Sequence, residues 1–205
     1  MKKFKIFSII IFLSGISLVS FAQQGKMDLS LNYSVNSPLS SFKSESVSKT
    51  SFRGWNGSLM YNINNKIAVG LGTGFNDYYQ KYQRQVYQDK NNAISAVLTN
   101  SVQTVPIMVK GRYTPAPAGL VQPYIGLGIG GNLVYYRQFL GEFQDSKSGI
   151  YFATQPEVGV NIPFSRYRGS AFSIGANYSY MPFEYGNVKD LNNWGIFAGF
   201  KISLK

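Results

Sequence analysis

Five charged residues, Asp28, Lys110, Arg112, Glu157 and Lys201, stand on the polar side of an apolar/polar alternation that otherwise carries Asn, Ser, Gly, Thr and Gln. Their types suit ion pairing better than catalysis. The chain has no His and no Cys. It therefore lacks the side chain that most readily exchanges protons near neutral pH, and all thiolate chemistry. Its Ser and Lys residues are scattered, and its acids fall mainly in segments that read as loops, so no nucleophile is paired with a base. No His/Cys spacing and no dense carboxylate loop suggests a metal. One cofactor-like pattern occurs, Gly126-x-Gly128-x-x-Gly131. A dinucleotide fingerprint needs a helix next, whose N-terminus holds the pyrophosphate. Here the alternation runs on into Asn132-Leu133-Val134-Tyr135, so these glycines, with Gly70, Gly72 and Gly74, read as space-makers. No catalytic residue, no cofactor site and no metal site is expected.

The elements that would position the five charges are strands. In Met27-Asp28-Leu29-Ser30-Leu31-Asn32-Tyr33-Ser34-Val35-Asn36 every odd residue is apolar and every even one polar. Successive strand side chains point to opposite faces, which gives one greasy face and one wet face. The pattern returns over residues 55–63, 67–75, 105–113, 121–135, 152–162, 172–180 and 194–204, making eight strands. The connections alternate in length. Asn64-Asn65, residues 114–119 and residues 163–169 are short. Residues 37–50, 77–95, 140–149 and 181–193 are long. Short turns on one rim and long loops on the other is the plan of an outer-membrane barrel. An even strand count puts both termini on the short-turn rim, facing the periplasm.

The ends and the composition agree. Met1-Lys2-Lys3-Phe4-Lys5 precedes an uncharged apolar run over residues 6–19 and then Ser20-Phe21-Ala22. That is a basic region, an apolar region and a small-x-Ala cleavage site, so residues 1–22 read as a signal peptide and 23–205 as one barrel domain. The leader holds three of the 20 basic residues and none of the nine acids, leaving 17 against nine, or +8. These cations are dispersed, which argues against nucleic acid as a partner. Lys26, Lys66, Arg166, Arg168 and Lys205 fall on the short-turn rim, where anionic phospholipid would favour them. Fifteen Tyr, 15 Phe and two Trp accompany 21 Gly. Placed by strand direction, Tyr33, Trp55, Phe75, Tyr135, Phe152, Tyr178, Tyr180 and Trp194 fall at the long-loop rim. Tyr61, Tyr113, Phe172 and Phe200 fall at the other. Two aromatic girdles around an aliphatic band are what a bilayer selects.

On these features, together with the strand carrying Pro123-Tyr124-Ile125-Gly126-Leu127-Gly128 and the final strand, the chain resembles the small eight-stranded outer-membrane proteins of the OmpX, OmpW and OmpA-barrel type, the outer membrane protein β-barrel domain. The resemblance spans residues 23–205. It implies an all-β, antiparallel, up-and-down transmembrane barrel after a signal peptide, resident in the bacterial outer membrane as a monomer. It also implies a closing signal read by the barrel assembly machinery, fitted here by Gly199, Ile202 and Leu204. Phe197 stands where a polar residue is usual, and the chain ends on Lys205 instead of an aromatic. Barrels of this kind that are enzymes usually rely on His, which this chain lacks, so no enzymatic activity is expected. The expected role is surface interaction: adhesion, lipopolysaccharide binding or host-factor binding. The alternatives are a narrow channel or hydrophobic-solute conduit, and structural support of the envelope.

Two groups of residues follow as candidates. The five lumen charges should pair: Asp28 with Lys201 across the closing seam, and Glu157 with Lys110 or Arg112. Residues 77–95 should form a projecting β-hairpin whose Tyr78, Tyr79, Lys81, Tyr82, Arg84, Tyr87 and Lys90 offer a recognition surface, because Tyr brings large contact area at low entropic cost.

Overall fold

The computed structural model describes residues 27–89, 92–141, 143–164 and 170–204. The expected leader, 1–22, lies outside them, as do Lys26, Arg166, Arg168 and Lys205 of the expected cationic rim.

The alternating segments form strands: β1 (Met27–Pro38), β2 (Ser51–Asn62), β3 (Ile67–Lys81), β6 (Leu98–Tyr113), β7 (Gln122–Leu140), β8 (Phe143–Pro163), β9 (Ala171–Ser179) and β12 (Asn193–Leu204). Each pairs antiparallel with its neighbour in the order β1-β2-β3-β6-β7-β8-β9-β12, and β12 returns to β1 to close an eight-stranded barrel. The seam has no slip: Met27 lies opposite Leu204, Leu31 opposite Phe200 and Ser37 opposite Trp194. This register follows from the pattern, since a shift of one residue would turn every polar side chain to the apolar side. Leu29, Leu71, Ile107, Leu127, Val158 and Ile196 are exposed on the outer wall. Asp28, Ser30, Asn32 and Ser34 are buried inside.

The aromatic rows sit as the sequence places them. Tyr33 faces Trp55 across β1–β2, and Trp55 faces Phe75 across β2–β3. Tyr178 faces Trp194 on the other side of the seam. At the rim that carries the chain ends, Phe200 meets the rings of Phe172 and Phe164 at 5.9 and 6.1 Å. The tight β2–β3 turn is an Asx turn, in which Asn64 Oδ1 accepts from the backbone N–H of Lys66 and Ile67, both at 2.8 Å.

The long connections carry secondary structure of their own. Residues 140–149 are not a loop. β7 and β8 stay paired from Gln122–Asn161 to Leu140–Phe143, and Gly141 makes the reversal at φ +63°. The 77–95 hairpin does project, but in two pieces. β3 and β6 pair up to Lys81–Thr99, and β4 (Gln85–Asp89) and β5 (Asn92–Ala96) form a separate two-stranded tip. Residues 37–50 carry a short helix, α1 (Ser40–Glu45), and residues 181–193 carry a small hairpin, β10 (Pro182–Tyr185) and β11 (Val188–Asp190). Both fold over the barrel mouth. There Phe42, Val47, Tyr78, Val102, Val134, Tyr136, Met181, Phe183, Val188 and Leu191 form the one large apolar core cluster among the described residues.

Candidate functional site

Strands β6, β8, β1 and β12 bring the five lumen charges together in two groups. Lys110 Nζ lies 2.7 Å from Glu157 Oε2, with the two side chains 9% and 6% exposed. Arg112 Nη2 stands 3.8 Å from the other carboxylate oxygen of Glu157, and its guanidinium lies over the Tyr124 ring, 4.5 Å from the centroid. Lys201 Nζ is 3.5 Å from Asp28 Oδ2, which also has Ser203 Oγ as a donor at its other oxygen. A buried ion without a partner is costly, and here neutralisation is divided unevenly. Lys110 takes Glu157 at hydrogen-bond distance and leaves Arg112 at the edge of the pair. Facing glycines provide the space. A Cβ at Gly72 would sit 2.8 Å from Lys110 Cδ, and one at Gly126 would sit 2.7 Å from Glu157 Cγ. The dinucleotide-like glycines therefore serve packing inside a strand. At this level side chains crowd the bore. The cavity beside Asn36, Met108, Lys110 and Gln155 holds about 10 Å³, room for no more than one water.

Above the charges the mouth is closed by side chains and tied by hydrogen bonds. Phe42 meets Tyr78 edge to face at 4.9 Å, and Phe183 meets Tyr151 at 4.8 Å and Tyr136 at 5.8 Å. Ser46 is the knot on the α1 side. Its hydroxyl donates to Tyr136 Oη at 3.0 Å, and its carbonyl accepts from Tyr82 Oη at 2.9 Å and Asn100 Nδ2 at 2.8 Å. Ser41 is the knot between the two loops. Its hydroxyl donates to Asp190 Oδ2 at 2.8 Å and accepts from the backbone N–H of Lys189 and Asp190 at 2.9 Å. Tyr185 donates to Asp145 on β8. Partial burial first, then that hydrogen bond and the Asp145 charge, push its phenol up to about 12.

The projecting hairpin is rearranged relative to the sequence reading. Tyr78 is fully buried in the mouth cluster and does not face outward; Tyr82 is half-buried and donates its hydroxyl to the Ser46 carbonyl. The reason is register: even residues of β3 point inward, and the wall continues that alternation above the girdle. Tyr79, Lys81 and Arg84 are exposed. Tyr87 pairs through its backbone with Ile94, and Lys90 lies outside the described residues. In the final strand Ile202 and Leu204 face outward. Gly199 faces in, where a Cβ would collide with the Leu31 carbonyl. The sequence reading missed the mouth cluster altogether. Its signal was present in Phe42, Val47, Met181, Phe183, Val188 and Leu191, isolated apolar residues inside polar connections.

The profile of the outer membrane protein beta-barrel domain matches residues 8–201. Among solved structures the chain is similar to the outer membrane protein OprG from Pseudomonas aeruginosa, at 13% identity and a TM-score of 0.58, covering 88% of this chain and 96% of that one. It is similar to Neisserial surface protein A, at 16% identity and a TM-score of 0.53, covering 88% and 97%. It is also similar to Ail, the attachment invasion locus protein of Yersinia pestis, solved in complex with the heparin analogue sucrose octasulfate, at 16% identity and a TM-score of 0.50, covering 88% and 100%. No curated protein sequence matches.

Proposed function

The chain belongs to the outer membrane protein beta-barrel domain family, and from that premise we propose that this bacterial outer-membrane barrel works without catalysis, as a monomeric closed scaffold that displays a tall β-wall to partners outside the cell. In this reading the rim with the chain ends faces the periplasm and the plugged mouth faces the medium. The barrel assembly machinery acts only in biogenesis, on the final strand with Gly199, Ile202 and Leu204.

The observation that carries the reading is closure. The pocket beside Lys110 and Met108 in the bore holds about 10 Å³, and an apolar cluster fills the mouth above it. Eight strands leave an interior just wide enough for side chains, and a solute conduit would have to displace both layers. The material that rises past the girdle belongs instead to a wall. β3, β6, β7 and β8 are 15, 16, 19 and 21 residues long, against roughly 9–11 needed to cross a bilayer. The Tyr79 side chain, 50% exposed, supplies contact area there, and the exposed Lys81 and Arg84 add attraction to anionic partners such as lipopolysaccharide. The sulfated ligand of the Yersinia pestis relative is of the same charge class.

Two measurements test this. Purified protein in planar bilayers should show no reproducible conductance steps. Replacing residues 83–95 with a short Gly-Ser link, together with Tyr79→Ser and Lys81→Ser, keeps Tyr78 and Tyr82 in place; it should preserve heat-modifiable folding and abolish binding to lipopolysaccharide and to cells. Stable conductance, or unchanged binding by the correctly folded deletion, rejects the display role of this hairpin.

A further inference from the structure

Below the Lys110–Glu157 pair, the end of the barrel that carries the chain termini opens into a vestibule of about 770 Å³, within the size range of small-ligand sites. Among the described residues four charged side chains line it: Asp28, Lys66, Arg112 and Lys201, three of them cations. Asp28 is already engaged by Lys201 and Ser203. Arg112 is the group without a settled partner. Its side chain is 9% exposed. Among the described residues its Nε has no hydrogen-bond partner, and the carboxylate it pairs with, Glu157, is bound more closely by Lys110. Tyr124 backs its guanidinium plane from one side. A second orphan borders the same space, the buried Asn161 Oδ1. Leaving a charged donor unpaired away from bulk water is unfavourable, and a guanidinium is shaped to take two oxygens of one carboxylate or phosphate at once.

We propose that this vestibule is a binding site for a small oxyanion, a carboxylate or phosphate, held by Arg112. Lys201 and Lys66 supply long-range attraction, and Asn161 accepts from a hydroxyl of the same ligand. The site is independent of the display surface at the opposite mouth. A free solute and the headgroup of an anionic phospholipid at this rim offer the same chemistry.

The test uses the full barrel, isotopically labelled, in phosphatidylcholine nanodiscs, with inorganic phosphate as the probe at constant ionic strength. The readouts are the Arg112 Nε–H resonance and the backbone amides of Ala68, Ala171 and Asn161. A saturable shift with phosphate identifies a free oxyanion as ligand. A shift that appears only when phosphatidylglycerol replaces phosphatidylcholine, with no added phosphate, assigns the site to a lipid headgroup. Arg112→Gln should abolish the amide shifts. Lys66→Gln, which leaves every buried pair intact, should weaken the response and keep the proposal testable if the first variant fails to fold. No shift in either arm, or amide shifts that persist unchanged in folded Arg112→Gln, overturns it.

Discussion

A charge inside a bore this narrow needs a partner and space. The alternation of β6 and β8 already puts Lys110 and Glu157 on the same side of the wall, and Gly72 and Gly126 in the facing strands supply the volume. Which cation Glu157 takes is a matter of Ångströms: 2.7 for Lys110 against 3.8 for Arg112. Two substitutions separate a paired buried group from an unpaired one. Glu157→Gln leaves Lys110 buried beside a neutral amide and should cost about 3–5 kcal/mol, the scale of breaking a buried pair. Tyr78→Phe removes a buried hydroxyl that has no partner and should be neutral or stabilise by about 1 kcal/mol. Urea unfolding in lipid vesicles reads both; a midpoint unchanged by Glu157→Gln would mean the pair is not neutralising a buried charge.

The mouth is built by elements too short to stand alone. α1 has six residues, β10 four and β11 three, and isolated elements of such length are unstable in water. They persist because Phe42, Phe183 and Leu191 enter a cluster completed by the barrel wall, and because Ser41 and Ser46 bind the loops to one another and to β6 and β7. Tyr185 links β10 to β8 through Asp145, which sets a pH dependence. Its phenol is held at about 12 in the fold against an ordinary 10.0. As pH rises, the unfolded chain loses this proton first. The contribution is therefore intact below about pH 10 and is lost as pH climbs from there through about 12. The urea midpoint of the wild type should fall over that window by more than the midpoint of Tyr185→Phe, measured side by side. Equal slopes would show that the phenol is not coupled to folding.

At the scale of the whole molecule the barrel is a cylinder with one tall side. β3, β6, β7 and β8 rise past the girdle, whereas β1, β2, β9 and β12 end near it, so the two loops on the low side fold across the opening and the wall stays above. The outer surface is the inverse of a water-soluble sheet. Leu71, 64% exposed between Leu59 and Val109, lies midway between the aromatic rows. An Arg there would sit in acyl chains far from either interface. Leu71→Arg should destabilise the barrel by about 2–4 kcal/mol in reversible unfolding from vesicles. A cost near zero would place that face in water and contradict the transmembrane reading.

The sequence by itself determined the strands, their inward and outward faces, the antiparallel order and the identity of the lumen charges, because a period of two is written locally and one slip inverts it. It also determined the aromatic rows, since height along a strand follows from counting residues. Tertiary structure decided what counting cannot reach. Glu157 chose between two cations on the same face of β6 by side-chain geometry. Tyr78 reads as an exposed hairpin residue and became interior, because its burial depends on Phe42 of α1, which is distant in the chain. Residues 37–50 and 181–193 have no periodicity of their own. Their few apolar side chains acquire a place only once the closed barrel offers an open end to fill, and the short backbone elements then form around that contact.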